Sequence, residues 1–331
     1  MGPERQLQLA FVARRHYVEQ RSKVEIAEEL GLSRFQVARM LDQARERGIV
    51  KFVVELPGPV DQDLSLALKE SLGLRRAVVV NTPSADAATV RQCLGRAAAA
   101  LASEIITPEA VVGMTAGRTL GAMAGAVEPM TAAGVVQLSG AAGPIQATAV
   151  EVVRRFSKTC NAPVYPLYCP LLASDPAAAR VLRRQADIQR TLAKIPEVTV
   201  AWVAVGSWDP PDSELRDNPA LAGIIGSLPA PRAIAADVGG IVLADDARAV
   251  REVEELCIGA TAAQLRAIPD VIAVAGGARK ADAVRAAVAS GIVRSLVTDT
   301  TAARALLAGR SPGRRDTTSI EPRSSDDAPE R

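Results

Sequence analysis

The sequence predicts an α/β protein in which an N-terminal winged helix-turn-helix precedes a larger, Rossmann-like domain with a mostly parallel sheet. Three observations predict it. After residue 60, runs of β-type residues alternate with helical stretches. Hydrophobic residues make up 48% of the 331 residues but aromatic residues only 3%, which is typical of helices packed on a buried parallel sheet. Before residue 60, two short helical stretches meet at Gly31, as in a helix-turn-helix.

Charge and cysteine content restrict the class of protein only slightly. The net charge of +2 is too small to identify a nucleic-acid partner, so local patterning must decide. The four cysteines, Cys93, Cys160, Cys169 and Cys257, show neither the close spacing of metal ligands nor the pattern of a disulfide framework. This favours a reducing cytoplasm. The chain opens without a secretory leader, and no apolar run approaches the ~18 residues of a membrane span. We therefore expect a soluble, cytoplasmic protein with no metal and no cofactor.

Three helices are expected in the N-terminal segment. The first runs from Leu7 to Gln20, with an apolar stripe formed by Leu7, Ala10, Phe11 and Val18. A second helix, at 24–30, stops at Gly31. A third starts at Ser33, which forms a capping box with Gln36, and Gly48 ends it in a left-handed conformation. A small residue, a tight turn and two marked helix ends together predict a helix-turn-helix.

The third helix has a packing face and a face suited to reading DNA. Val37, Leu41 and Ala44 share the first. Gln and Arg on the other face suit bidentate contacts with adenine and guanine in the major groove. The predicted DNA-binding residues are Lys23, Ser33, Arg34, Phe35, Gln36, Arg39 and Gln43. The alternative is that these residues are only the solvated face of an amphipathic helix; the turn and the caps favour DNA binding.

A strand-like segment and a chain break close the N-terminal part. Residues 51–56, KFVVEL, are expected to form the wing beside the helices. Pro57-Gly58-Pro59 then marks a domain boundary. The predicted organisation is a DNA-binding domain at 1–58, an effector-binding and oligomerisation domain at 60–310 and a tail at 311–331. The tail is polar, contains proline and lacks apolar periodicity, which predicts disorder.

The larger domain alternates strands with helices. Strands are expected at 78–80, 111–115, 135–140, 198–206, 271–277 and 295–299. Helices are expected at 87–106, 117–126, 150–160, 177–193 and 281–290. This alternation predicts a mostly parallel sheet, in which ligands collect beyond the carboxyl ends of the strands.

Two glycine-rich loops follow strands and precede helices, the arrangement that binds anions at helix N-termini. The candidate residues are Gly113, Thr115, Gly117, Arg118 and Thr119 in GMTAGRT, and Gly276, Gly277 and Lys280 in AGGARK. Each loop alone is equally consistent with a tight turn bearing solvated cations. Asp299 is a candidate for contact with sugar hydroxyls, although it is equally suited to cap the following helix.

Nearly the whole chain resembles the SorC family of sugar-responsive transcriptional regulators. The similarity runs from EIAEELGLSRFQVARMLDQARERGIV through GMTAGRTL, VVQLSG and ADVGGIVLADD to VIAVAGGARKADAVRAAVASGIVRSLVTDTTAARALL. It implies a domain similar to phosphosugar isomerases, a sugar-phosphate effector at the two glycine loops and oligomers, commonly tetramers. The chain departs from the family at Ala116, often a tryptophan, and at 236–240, where Gly-Ala-Val-Gly-Asp is usual.

Two other functions are weighed against a regulator controlled by a sugar phosphate. The first is a phosphosugar isomerase-like enzyme fused to a DNA-binding domain. His16, the only histidine, lies in the N-terminal part, so the larger domain lacks a histidine base, although carboxylates remain. The second is an architectural DNA-binding protein whose larger domain only oligomerises. We expect a repressor or activator of a carbohydrate operon that binds double-stranded operator DNA as a dimer or tetramer and has no enzymatic activity.

Overall fold

The computed structural model describes residues 2–51, 59–142, 146–209, 212–213, 215–216, 218–226 and 233–309. The chain divides into two compact units, Met1–Leu56 and Pro57–Arg331. Most of the expected wing at 51–56, two residues of the Pro57-Gly58-Pro59 boundary and the tail expected at 311–331 lie outside the described residues.

Three helices build the N-terminal unit: α1 (Pro3–Tyr17), α2 (Lys23–Leu30) and α3 (Arg34–Glu46). Both α2 and α3 begin with a capping box, in which Ser22 pairs with Glu25 and Ser33 pairs with Gln36. Gly31 ends α2 with φ of +64°, a conformation that glycine adopts without strain. The predicted helix-turn-helix is confirmed.

The buried face of α1 differs from the predicted apolar stripe. Its buried residues are Leu9, Val12 and Ala13. Leu7 is instead 71% exposed and Phe11 41% exposed. The predicted stripe is wrong because positions 9, 12 and 13 have the same helical spacing as positions 7, 10 and 11, so hydropathy alone does not choose between two neighbouring stripes.

The larger unit contains the remaining elements. Its helices are α4 (Gln62–Leu72), α5 (Ala87–Ile105), α6 (Arg118–Ala126), α7 (Gln146–Thr159), α8 (Pro176–Arg183), α9 (Ala186–Leu192), α10 (Pro219–Gly226), α11 (Arg251–Glu254), α12 (Ala262–Ala267), α13 (Ala281–Ala289) and α14 (Thr300–Leu307). Its strands are β1 (Arg76–Val80), β2 (Val111–Met114), β3 (Gly134–Gln137), β4 (Val164–Tyr165), β5 (Val200–Val203), β6 (Val205–Ser207), β7 (Ile234–Val238), β8 (Ile241–Ala244), β9 (Asp270–Val274) and β10 (Ser295–Asp299).

Seven strands form a parallel sheet whose inner strands are buried on both faces. Their order is β1-β10-β9-β5-β2-β3-β4. Because successive residues of a strand face opposite sides, Val271 and Ala273 of β9 join the core that includes α13 and α14. Ile272 and Val274 join the other core, beneath α5, α6 and α7. The predicted α/β class with a mostly parallel sheet is confirmed.

The strand order reverses between β2 and β5. From β2 the chain proceeds outward through β3 to β4 at one edge, and it returns to β5 on the other side of β2. Connections that leave a parallel sheet toward opposite faces open a crevice beyond the carboxyl ends of the strands. The residues that follow β2 and β5 therefore border the position where such sheets bind ligands.

A small antiparallel sheet, in the order β6-β7-β8, adjoins this crevice. The prediction of one strand at 198–206 is wrong, because the run divides at Ala204 into β5 and β6, which belong to different sheets. The Thr115 hydroxyl accepts a hydrogen bond from the Ala204 N–H at 3.2 Å, where the chain leaves the large sheet. Gly239 and Gly240, with φ of +58° and +96°, form the two-residue turn between β7 and β8.

The single helix predicted at 177–193 is also wrong, because α8 and α9 are separate helices with Gln185 extended between them. Ala179 of α8 and Ile188 of α9 are both buried. In one straight helix these two residues would face opposite directions, since nine residues correspond to about two and a half turns. The break allows both side chains to enter the core.

Candidate functional site

A cavity of about 510 Å³ occupies the crevice at the reversal of strand order. Residues 115–119 after β2 and 204–206 after β5 form part of its wall, and residues 276–277 and 279–280 after β9 form another part. The hairpin turn at 239–240 and the first half of α5 form further parts. Both predicted glycine loops thus reach the same cavity, from two strands that lie on either side of β5.

The first glycine loop is held against the segment that follows β5. Thr115 is buried, and its hydroxyl is bonded to the Ala204 N–H. Gly117 has φ of +152°, and a Cβ there would lie 2.8 Å from the Cβ of Ala204. No side chain caps α6 at Gly117. The first N–H groups of α6 therefore remain suited to an anion in the cavity, beside Arg118 and Thr119.

Gly113, the remaining predicted residue of this loop, does not line the cavity. It lies within β2, where a Cβ would be 2.8 Å from Leu138 Cδ1 and 2.9 Å from Val198 Cγ1. Its small size therefore serves core packing beneath the site.

The second glycine loop is shaped by contact with two neighbouring elements. A Cβ at Gly276 would lie 2.5 Å from Leu94 Cδ1 and 2.6 Å from an oxygen of Asp299. Gly277 has φ of +88° and donates its N–H to the Asp299 carboxylate. Lys280 is 18% exposed, and its Nζ donates to the Val205 carbonyl oxygen at 2.8 Å. The ammonium group is thus fixed at the edge of the cavity.

Asp299 holds the second glycine loop in place through a hydrogen bond to Gly277. Its Oδ1 accepts hydrogen bonds from the N–H groups of Thr301 at 2.8 Å and Ala302 at 3.1 Å, which caps α14. The other oxygen accepts from Gly277. The carboxylate is fully buried and does not line the cavity. Of the two roles considered from the sequence, the geometry is that of the helix cap, combined with positioning of Gly277.

Asp212 connects Arg118 and Lys280 across the cavity. Its carboxylate forms an ion pair with the Arg118 guanidinium and lies 3.2 Å from the Lys280 Nζ. Burial would raise the pKa of Asp212, but the Lys280 ammonium and the Arg118 guanidinium outweigh burial and hold the pKa below its ordinary value. In this arrangement the two cations are paired with a carboxylate of the protein itself.

Sequence reasoning missed several residues of the cavity wall: Arg91, Ser139, Asp212, Asp237, Gly239, Gly240 and Arg279. Asp237 lies on β7 and accepts a hydrogen bond from the Ser213 hydroxyl. Gly206 leaves room for the Asp237 carboxylate, which a Cβ at that position would contact directly. For two of the missed residues the sequence held a signal: the pair Gly239-Gly240 lies between two apolar runs, which predicts a hairpin turn.

The cavity wall is electropositive. It contains four cationic side chains, Arg91, Arg118, Arg279 and Lys280, and two carboxylates, Asp212 and Asp237. Its described lining also includes backbone at two glycine loops and the start of two helices. A ligand that combines an anionic group with hydroxyl groups matches this chemistry.

The surface of α3 presents most of the predicted DNA-binding residues. Arg34, Arg39 and Phe35 are exposed, and Phe35 is 86% exposed. The Gln36 Oε1 accepts the Ser33 N–H at 2.7 Å, so the capping box occupies the oxygen that a bidentate contact with adenine would use.

Two predicted residues lie at the margins of this surface. The Gln43 Oε1 accepts from Arg5 at 3.2 Å, so this amide is tied to α1. Lys23 is half-buried at the first position of α2, next to the N-cap Ser22. The exposed centre of the surface therefore consists of Arg34, Phe35 and Arg39, while the buried Val37, Leu41 and Ala44 pack as predicted.

None of the helices in the described ranges is long and apolar enough to cross a membrane. Among the described residues, no three His, Cys, Asp or Glu side chains come together as a metal site would require.

A helix-turn-helix with an exposed face and an electropositive cavity at a sheet crevice define a one-component regulator, with a DNA-binding unit and a ligand-binding unit in one chain. Comparisons agree with this class. Residues 60–308 match the family described as "Putative sugar-binding domain". The transcriptional regulator LsrR of Klebsiella pneumoniae is 27% identical over 311 residues, covering 91% of this chain and 92% of that protein. The deoxyribonucleoside regulator of Bacillus subtilis is 27% identical over 318 residues, covering 93% and 99%.

A solved structure shows the same fold. The full-length sorbitol operon regulator SorC from Klebsiella pneumoniae matches with a TM-score of 0.67 and 20% identity, over 91% of this chain and 99% of that one. The chain therefore belongs to the sugar-binding domain family, as a sugar-responsive transcriptional regulator of the SorC type.

Proposed function

We propose that the protein controls a carbohydrate operon by binding operator DNA through α3 and by binding a phosphorylated sugar in the cavity at the sheet crevice. The observation that carries the proposal is the pairing of Arg118 and Lys280 around one position between the two glycine loops. A phosphate group at that position would receive both cations and the N–H groups at the start of α6. The sugar hydroxyls would face the polar wall near Ser139 and Asp237.

The ligand phosphate competes with Asp212 in this proposal. Asp212 is bonded to the cations that the phosphate needs, so its displacement accompanies binding. Asp212 comes shortly after β6 in the chain, and it forms an antiparallel bridge with Ser207 of that strand. The cavity therefore has two arrangements, one in which the Asp212 carboxylate pairs with the cations and one in which the ligand phosphate does. A ligand that binds only the second arrangement increases the fraction of molecules that adopt it. We propose that this shift changes operator affinity.

We propose that the cavity senses and does not catalyse. The only histidine, His16, lies in the other unit. Asp212 has a lowered pKa and is held by two cations, which makes it a poor proton donor or acceptor near neutral pH. Asp237 is hydrogen-bonded to Ser213. We expect a sugar phosphate incubated with the protein to be recovered unchanged, as followed by ³¹P and ¹³C NMR; conversion to another sugar phosphate would contradict the proposal.

We also propose that the protein acts in the cytoplasm as a homo-oligomer. Helix-turn-helix proteins usually read two half-sites with two copies of the recognition helix, so a symmetric oligomer matches a palindromic operator. The proposed units are residues 1–58 for DNA and 60–310 for effector and oligomer contacts. Sedimentation of the full chain with a duplex should give an even number of protomers per operator; a single protomer per duplex would contradict this part.

The test of the effector site is isothermal titration of the full chain with sugar phosphates and with the same sugars lacking phosphate. Lys280→Ala should weaken binding of the phosphorylated ligand about tenfold or more, because a hydrogen bond between charged groups is lost. Lys158→Ala removes an exposed lysine of α7 that does not line the cavity and serves as the control. DNA affinity without ligand should be unchanged in both variants. Equal ligand affinity in Lys280→Ala and wild type would remove Lys280 from the site.

A further inference from the structure

A second cavity, of about 600 Å³, lies among α5, α6 and α7 on one face of the large sheet. We name it the arginine cleft after the four arginines in its lining, Arg91, Arg96, Arg118 and Arg155. The rest of the lining consists of Gln92 and small residues of α5 and α6. All of the lining residues belong to the described part of the chain, and none of them is acidic.

The four arginines of the lining come from three helices, α5, α6 and α7. Arg91 and Arg96 extend from the same side of α5 as Ala88 and Gln92, which follow a helical spacing. After Arg118, the residues of α6 that line the cleft are small, and a Cβ at Gly125 would lie 3.3 Å from Arg155 Nη2 and 3.4 Å from its Cζ. The glycine therefore lets the Arg155 guanidinium of α7 lie against α6.

The charges of the cleft are mostly unbalanced. Among the described residues, no carboxylate lies within ion-pair distance of Arg91, Arg96 or Arg155, although Asp86 acts on Arg91 at longer range. Like charges gathered in a concave site repel one another, and a bound anion relieves that repulsion.

We propose that the arginine cleft binds a phosphate group. The planar guanidinium donates paired hydrogen bonds that match phosphate oxygens, and the N-terminal turn of α6, which borders the cleft and has no side-chain cap, adds positive potential. Arg91 and Arg118 line both the arginine cleft and the effector cavity. The phosphate therefore has two sources: a separate phosphate-bearing molecule, or the second phosphate of a ligand whose sugar lies in the effector cavity. The site itself does not depend on the proposed effector.

The test titrates the full chain with pyrophosphate at constant ionic strength. Arg96→Gln and Arg155→Gln each change a residue of the arginine cleft that does not line the effector cavity. Each should weaken pyrophosphate binding about tenfold, because charge-assisted hydrogen bonds are lost. Arg154→Gln removes the same charge from an exposed neighbour outside the cleft and should leave binding within about twofold. Absence of pyrophosphate binding to wild type, or equal losses in all three variants, would overturn the proposal.

A second titration separates the two sources of phosphate. If pyrophosphate still binds after a sugar monophosphate has saturated the effector cavity, and Arg96→Gln still weakens it, the cleft takes a separate anion. If Arg96→Gln weakens binding of a sugar bisphosphate but not of the matching monophosphate, one ligand spans both cavities. Either result supports the site. The proposal would be refuted if Arg96→Gln and Arg155→Gln bound both pyrophosphate and the sugar bisphosphate with the affinity of wild type. The affinity for the sugar monophosphate does not enter this comparison.

Discussion

Replacement of Asp212 by asparagine should tighten phosphate binding in the effector cavity while it weakens the ligand-free fold. The change keeps the size of the side chain but removes the charge that pairs with Arg118 and Lys280. Asp212 is 43% exposed, so each pair falls in the range of partly exposed ion pairs, ~0.2–1 kcal/mol. Loss of both should lower the free energy of unfolding by ~0.4–2 kcal/mol and raise phosphate affinity by a matching ~2- to 30-fold.

Two measurements check this prediction. Isothermal titration of Asp212→Asn with a sugar phosphate gives the affinity, and urea unfolding between pH 3 and about pH 7 gives the stability. Because the folded-state pKa of Asp212 is lowered, its contribution is complete above the ordinary aspartate pKa of about 3.9 and is lost as pH falls through the folded-state value. The variant should lack that part of the acid sensitivity. Weaker phosphate binding by Asp212→Asn would refute the competition between carboxylate and ligand.

Three further changes test other parts of the account. Arg39→Ala should weaken binding to an operator selected from randomised duplexes by ~1–3 kcal/mol and relax one base position, whereas Arg47→Ala should not relax specificity. Gly239→Ala places a Cβ 2.9 Å from Thr115 at φ of +58°, and thermal unfolding should show a loss of ~1–2 kcal/mol together with weaker sugar-phosphate binding. Phe156 is a fully buried residue of α7, and Phe156→Ala should lower the urea-derived free energy of unfolding by ~3–5 kcal/mol without changing operator specificity.

Local chemistry made much of the fold predictable. The helix-turn-helix could be predicted because a capping box and a glycine turn each involve only a few neighbouring residues. The structure has the capping box at Ser33 and the glycine turn at Gly31. Strands buried on both faces produce continuous apolar runs, so β9 was visible in the sequence. The glycine loops were visible because positive φ and close approach demand glycine, as at Gly277.

Features that depend on distant contacts were not predictable. The burial of Leu9 instead of Leu7 follows from the packing of α2 and α3 on α1, which periodicity does not report. The division at Ala204 depends on the Thr115 hydroxyl, 89 residues away. Asp212 joins the site only because the chain after β6 brings it to Arg118, 94 residues earlier. Such placements arise from tertiary structure, and no local pattern encodes them.

The central claim, that the electropositive cavity senses a phosphorylated sugar, is tested most directly by thermal unfolding of the full chain against matched sugars with and without phosphate. A ligand that binds only the native state, at a free concentration of a hundred times its Kd, stabilises that state by ~2.7 kcal/mol. At least one sugar phosphate should raise the Tm of wild type, and its unphosphorylated form should not. At the same ligand concentration Lys280→Ala should keep only about half of the stabilisation or less, because tenfold weaker binding leaves the ligand at about ten times its Kd. Equal shifts with both forms of the sugar, or an undiminished shift in Lys280→Ala, would contradict the central claim.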